Sequence, residues 1–190
     1  MSKVTFDISL SLDGFMQAAN ARPEQPMGDG GERLHAWAFD GDEADRQVVA
    51  DGGADSGAVI AGRRTYDDSL PWWGADGPTG NRRLPVVVLT HRAPAESPED
   101  GVYVFAEGGV EDALERARDA AGGKGITIMG GAETGRAFIA AGLVDELSLH
   151  VAPVLLGSGT RMFGEAQLAL EPLATVQTPN ATHLRFRVLR

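Results

Sequence analysis

Val4, Phe6, Ile8 and Leu10 alternate with Thr5, Asp7 and Ser9, the two-residue period of a strand with one buried face, and predict a first strand over residues 3–10. Largely apolar runs at 57–61, 84–90, 102–105 and 126–129 predict further strands, the run at 84–90 being apolar enough for burial on both faces. A fourth-residue rhythm intervenes. Leu34, Trp37 and Ala38 mark one face of a short helix over 32–39, and a second is expected over 42–50. A brief helix is expected over 65–69, ended by Pro71. Ala113, Leu114 and Ala117 face one side of a helix over 110–121 that stops at Gly122-Gly123, and another runs over 132–141 to Gly142. Residues 145–152, 174–177 and 183–190 read as strands, the last two closing on a turn at Pro179-Asn180. The stretches 14–31, 72–83 and 153–164 show no period and read as loops. Strand and helix alternate through the middle and a hairpin ends the chain. That order predicts one α/β domain over 1–190, with a mixed, mainly parallel central sheet, flanking helices and a C-terminal antiparallel hairpin.

Composition narrows the chemistry. With 190 residues, 43% hydrophobic and 23% charged, the chain can bury a sizeable core. No apolar run approaches the roughly 20 residues that span a bilayer, and no charged-then-apolar leader is evident, so a cytoplasmic protein without membrane association is expected. The absence of cysteine removes disulfides, thiolate metal sites and cysteine nucleophiles, and no metal site is expected. A net charge of −10 argues against nucleic acid as a partner, because that binding rests on Lys and Arg neutralising phosphates. Against so acidic a background, Arg63-Arg64, Arg82-Arg83 and His91-Arg92 stand out as candidate anion contacts.

Three predicted strands run out into anion-friendly groups. Gly62-Arg63-Arg64-Thr65 puts a hydroxyl and two guanidiniums where a helix begins, and helix N-termini carry unpaired N–H donors and partial positive charge. Thr90-His91-Arg92 follows the most apolar strand. Met129-Gly130-Gly131-Ala132-Glu133-Thr134 turns from strand to helix through two glycines, which let a ligand approach the backbone, although a plain strand-to-helix turn uses glycine too. The spacing is neither G-x-G-x-x-G nor a P-loop. Ligands of open α/β sheets sit at the carboxyl ends of strands, so the three ends together describe an elongated site for a polyphosphate such as a dinucleotide.

Those stretches, with Ser11-Leu12-Asp13-Gly14 and the run from Pro153 to Phe163, resemble in order the dihydrofolate reductase superfamily. They are most similar to its branch related to the reductase domain of bacterial riboflavin biosynthesis. The resemblance implies a three-layer, dihydrofolate-reductase-like fold with about eight strands, NADPH as cofactor and a homodimer. It assigns Arg63 to the adenosine 2′-phosphate, Arg64 and Thr65 to the pyrophosphate, and Thr90, His91 and Arg92 to the adenosine ribose and its phosphate. Gly62 leads into the first of these. Met129, Gly130 and Gly131 match the glycine pair that carries a cis peptide in dihydrofolate reductases, and the helix opened by Ala132, Glu133 and Thr134 receives the pyrophosphate. Met16, within Phe15-Met16-Gln17, falls on the loop that closes over the nicotinamide.

The match thins at the substrate. Dihydrofolate reductases place a carboxylate on the first helix, whereas the inward positions here are Leu34 and Trp37. With Trp73 these residues are candidates for a flat aromatic substrate, or for simple packing. Asp13 is the acid shared with the riboflavin-type reductases and either orients substrate, relays a proton or caps a turn. His150 lies where the family places a polar group near substrate, and its ordinary pKa suits proton transfer near neutrality, though a buried histidine on one backbone partner fits as well. The expected activity is NADPH-dependent hydride transfer to a small heterocyclic, pterin- or pyrimidine-like, or carbonyl substrate. The alternative is a nucleotide- or ligand-binding protein on the same scaffold without turnover.

Overall fold

Val86, Val87 and Val88 have no exposed surface, and all seven residues of the neighbouring strand Ser56–Gly62 are buried, as continuous apolar runs require in the middle of a parallel sheet. Each of these buried valines contributes about 1.5–3 kcal/mol by leaving water. The computed structural model describes residues 2–164 and 166–190. Its strands are β1 (Val4–Ser11), β2 (Phe15–Ala18), β3 (Ser56–Gly62), β4 (Val86–Leu89), β5 (Tyr103–Ala106), β6 (Gly125–Ile128), β7 (Glu146–Ala152), β8 (Gly159–Arg161), β9 (Ala169–Gln177) and β10 (Thr182–Leu189). The helices are α1 (Ala36–Phe39), α2 (Glu43–Ala54), α3 (Arg63–Trp73), α4 (Gly109–Ala120) and α5 (Ala132–Ala140), with 3-10 turns at Gly31–His35 and Gly80–Arg82. Eight strands form one sheet in the order β5-β4-β3-β6-β1-β7-β10-β9, and β2 pairs with β8 in a second, two-stranded sheet. This is the mixed α/β, dihydrofolate-reductase-like architecture expected from the sequence.

The chain gathers into two compact units, Met1–Thr5 with Asp55–Leu143, and Phe6–Ala54 with Val144–Arg190. In the first, β3 runs parallel to both β4 and β6, and β4 parallel to β5. Tyr66 of α3 is buried with Val59, Ala61, Val86 and Val88, its ring meeting Tyr103 and Phe105 edge-on. In the second, β10 is antiparallel to both β7 and β9, which places His183 directly opposite His150. Leu34, Ala152 and Val154 form a separate buried cluster there. Among the described residues no helix is long and apolar enough to cross a membrane.

Three local expectations are corrected. The stretches 14–31 and 153–164 are not loops throughout, because β2 and β8 lie within them and pair antiparallel. Both strands are too short to display a period, and the pairing needs Gly159, where a Cβ would overlap the Gln17 carbonyl. The helix expected to stop at Pro71 starts at Arg63 and continues to Trp73, with Pro71 inside its last turns and Gly74 closing it at φ 51°. The helix expected over 32–39 is a 3-10 turn followed by a single α-turn.

Candidate functional site

In the first unit the three predicted strand ends lie side by side, since β4, β3 and β6 are parallel neighbours. β3 passes through Gly62 into α3, and β6 passes through Gly130-Gly131 into α5. Neither helix has a side-chain cap on its N-terminal N–H groups: Gly62 and Gly131 hold the N-cap positions in extended conformation. First-turn N–H groups without a protein acceptor are donors for an anion. The two turns are fastened together, Gly62 N–H donating to the Gly130 carbonyl at 2.9 Å. A side chain at Gly62 would overlap the buried hydroxyl of Thr134, so glycine is what lets β3 and α5 meet. The Gly130–Gly131 peptide is cis, as the resemblance implies. Ala132 is buried, while Met129 and Glu133 face solvent.

Arg63 is held from two sides. Its Nε donates to both Asp67 carboxylate oxygens at 2.8 and 2.9 Å, and Nη1 donates to the Arg92 carbonyl at 2.7 Å. Arg64 is exposed and Thr65 half-buried beside it. Thr90, 8% exposed, shapes the neighbouring turn: its hydroxyl donates to the Arg92 carbonyl at 2.7 Å and accepts from Arg92 N–H at 3.2 Å. His91 and Arg92 are thereby displayed on the surface. Trp73 belongs elsewhere. Because α3 continues past Pro71, Trp73 packs against the Val59–Tyr66–Val86 cluster.

In the second unit Asp13 accepts the backbone N–H groups of Leu156 at 3.1 Å and Gly157 at 2.7 Å. The Ser11 hydroxyl is the largest influence on its carboxyl, and with these amides lowers the pKa to about 2. A carboxyl so held is an anion at working pH, which suits orienting and loop-tying better than proton transfer. Met16 is half-buried on β2, next to Phe15, whose ring carries the Arg161 guanidinium at 4.3 Å. Leu34 is fully buried in its cluster and Trp37 is 7% exposed, so both pack rather than present an open face.

His150 heads a buried chain of polar groups. Its Nδ1 lies 2.8 Å from His183 Nδ1, and its Nε2 lies 3.2 Å from Asp7 Oδ2 and 3.5 Å from Ser148 Oγ. His183 Nε2 lies 3.0 Å from Asp45 Oδ1. Trp37 stacks on His150 at 4.0 Å, meets His183 edge-on, and anchors its own indole N–H on Ser9 Oγ at 3.0 Å. Burial alone would raise the Asp45 pKa, but donors on Asn180, Thr178, His183 and the Asp42 amide outweigh it, and the net shift is downward. Burial is also the main cause that pushes His183 down, against the opposing pull of Asp45. His35, nearby, is pushed down by burial as well. Asp7, Asp45 and His183 were not among the residues singled out from the sequence. Asp7 had one visible signal, as a charge within an alternating strand, while Asp45 and His183 arrive through folding from distant segments. Among the described residues no group of three or more His, Asp or Glu has metal-holding geometry.

Residues 2–184 match the family described as the RibD C-terminal domain. No curated protein matches the chain. Among solved structures, a Shewanella sp. PV-4 protein named for riboflavin biosynthesis superposes with a TM-score of 0.74 at 24% identity, covering 100% of both chains. A pyrimidine reductase-like protein of Corynebacterium diphtheriae gives 0.68 at 16% identity, covering 100% of this chain and 92% of the other. Dihydrofolate reductase of Enterococcus faecalis, complexed with NADP(H) and RAB-propyl, gives 0.62 at 14% identity, over 98% and 96%. At these identities the likeness is one of fold.

Proposed function

The chain belongs to the RibD C-terminal domain family, and from that premise we propose that it is an NADPH-dependent reductase transferring hydride to a small heterocyclic, pterin- or pyrimidine-like, or carbonyl substrate. The observation that carries this reading is the pair of uncapped helix N-termini, α3 and α5, at the ends of adjacent parallel strands, with Arg63, Arg64 and Arg92 around them. Two anion sites fastened together through Gly62 and Gly130 fit a pyrophosphate with a further phosphate nearby. Neither helix start has a side-chain cap, so the residues present fit a dinucleotide.

When bound, NADPH supplies a hydride from its nicotinamide ring. The chain's own residues bind and orient. Arg63, aimed by Asp67 and by the Arg92 carbonyl, offers a pre-set guanidinium to the 2′-phosphate. Arg64 and Thr65 flank the pyrophosphate, with Gly131, Ala132, Glu133 and Thr134 on the other side. Thr90 sets the turn from which His91 and Arg92 reach the ribose. Met129 and Met16 supply apolar contact. Asp13, tied to the amides of Leu156 and Gly157, holds the loop after β7 in place for substrate. A homodimer is also part of the proposal: β9 is exposed along its whole length, including Leu170, Leu173 and Val176, and an uncovered edge strand of that kind is a surface for a second chain.

The experiment is NADPH oxidation with a panel of pterins, aminopyrimidines, flavins, quinones and simple carbonyls. Acceleration by one class is expected. Nucleotide binding without turnover on any of them would favour the binding-protein reading.

A further inference from the structure

The Asp7–His150–His183–Asp45 chain has three links and needs one proton in each, but two neutral imidazoles bring only two. The placement of these protons follows from one end to the other. Asp45 is fully buried and takes donors on every side: Asn180 Nδ2 at 2.9 Å, the Asp42 amide at 3.1 Å and His183 Nε2 at 3.0 Å. His183 therefore carries its proton on Nε2, which leaves its Nδ1 bare. At 2.8 Å, a bare Nδ1 requires that the facing nitrogen donate, so His150 carries its proton on Nδ1. A neutral His150 then turns a bare Nε2 toward an Asp7 carboxylate oxygen at 3.2 Å, two lone pairs in contact. That contact becomes attractive only when a third proton occupies it.

We infer that this chain stores one proton at the His150 Nε2–Asp7 Oδ2 link and releases it from Asp7. Asp7 is the open end, its side chain 31% exposed against 3% for His150, 5% for His183 and none for Asp45. The Trp37 indole face is stacked on the His150 ring, and an aromatic face attracts a cation. The other polar and titratable groups around the chain are Ser9 on β1, His35 on the 3-10 turn, Ser148 on β7, and Thr178 and Asn180 on the turn before β10. Ser148 Oγ, 3.5 Å from Nε2, is the donor that meets the ring once the stored proton has left.

The use of this proton rests on the reductase reading. Hydride addition to the carbon of a C=N or C=O bond leaves the π electron pair on the heteroatom, which must take a proton. The His150 N–H bond breaks to Asp7, the Asp7 O–H bond breaks as the new N–H or O–H bond forms, and solvent restores the proton at the exposed carboxyl. His183 and Asp45 are positioning residues: they fix which nitrogen of His150 is free to carry the stored proton.

Histidine side-chain 15N–1H NMR on the whole chain, titrated from about pH 5 to 9, reads the assignment directly. The expected low-pH spectrum has His183 protonated at Nε2 only and His150 protonated at both nitrogens. Raising the pH removes the Nε2 proton of His150 first. In Asp7→Asn that loss moves down by about one pH unit or more, because the anion facing the ring is gone. In Asp45→Asn, whose amide oxygen still accepts, the tautomers remain and the titration falls. Turnover falls in Asp7→Asn, which has no carboxyl to pass the proton on. His183 protonated at Nδ1, or a His150 titration unchanged in Asp7→Asn, would overturn the inference. Nucleotide calorimetry separates the two readings: absence of NADPH binding in the unaltered protein removes the reductase proposal and leaves the stored proton standing.

Discussion

Replacing Asp45 with alanine leaves His183, Asn180 and the Asp42 amide, among its donors, without their acceptor, and their exposures set the cost. His183, 5% exposed, cannot turn its Nε2–H to water, and an unmet buried donor costs about 1–3 kcal/mol. Asn180 is half-buried and recovers part of its loss from solvent. Asp42 is exposed, but its amide bond to Asp45 is one half of a reciprocal cap, the other being Asp45 N–H to Asp42 Oδ1 at 3.0 Å. The alanine variant keeps that second bond, so losing one half of the cap costs no more than about 1 kcal/mol. Together these give about 2–5 kcal/mol, overlapping the range for breaking a buried charged pair, and a large share of an ordinary domain's 5–15 kcal/mol or so. Urea denaturation followed by circular dichroism measures it as a fall in midpoint at unchanged slope. Asp45→Asn keeps one acceptor and should lose less than half as much. The carboxyl's folded pKa lies below its unfolded value, so its contribution is complete above about pH 3.9 and disappears as pH falls through the folded value. The unaltered protein should therefore lose an increment of stability in acid that Asp45→Asn never had. A loss below about 1 kcal/mol in the alanine variant would refute the reasoning.

Arg63→Ala should weaken NADPH more than NADH, by about tenfold, because hydrogen bonds to charged groups contribute about 1.5–3 kcal/mol; equal losses by calorimetry would remove the 2′-phosphate from Arg63. Gly62→Ala should lower stability by about 1–3 kcal/mol by driving a Cβ into Thr134, and should weaken nucleotide binding along with it, both read by thermal unfolding with and without NADPH. Leu173→Glu on the exposed β9 should convert a homodimer to a monomer in light scattering, and an already monomeric unaltered protein would end the dimer proposal.

The sheet was legible because its strands are of two readable kinds. β1 alternates in sequence, although Ser9 and Ser11 are buried along with its apolar residues, and β3 and β4 are apolar runs, as strands covered on both faces must be. β2 and β8 were hidden because three or four residues cannot show a period and their pairing depends on a glycine's backbone. Pro71 misled because proline usually ends a helix, yet here it falls only three residues before the closing Gly74. The strand-end glycines and arginines could be read one by one, since each motif is local. The histidine chain could not. Asp7 and His183 stand on strands far apart in sequence, and Asp45 looked like one more acid on an exposed helix until α2 folded it inward. Leu34 and Trp37 are both buried, Leu34 with Ala152 and Val154 and Trp37 against His150 and His183.

Calorimetric titration of the unaltered protein with NADPH, and with NADH beside it, bears most directly on the reading of α3 and α5 as a dinucleotide cradle. Saturable binding is expected for NADPH, tighter than for NADH. No heat from either nucleotide at high micromolar concentration would contradict it.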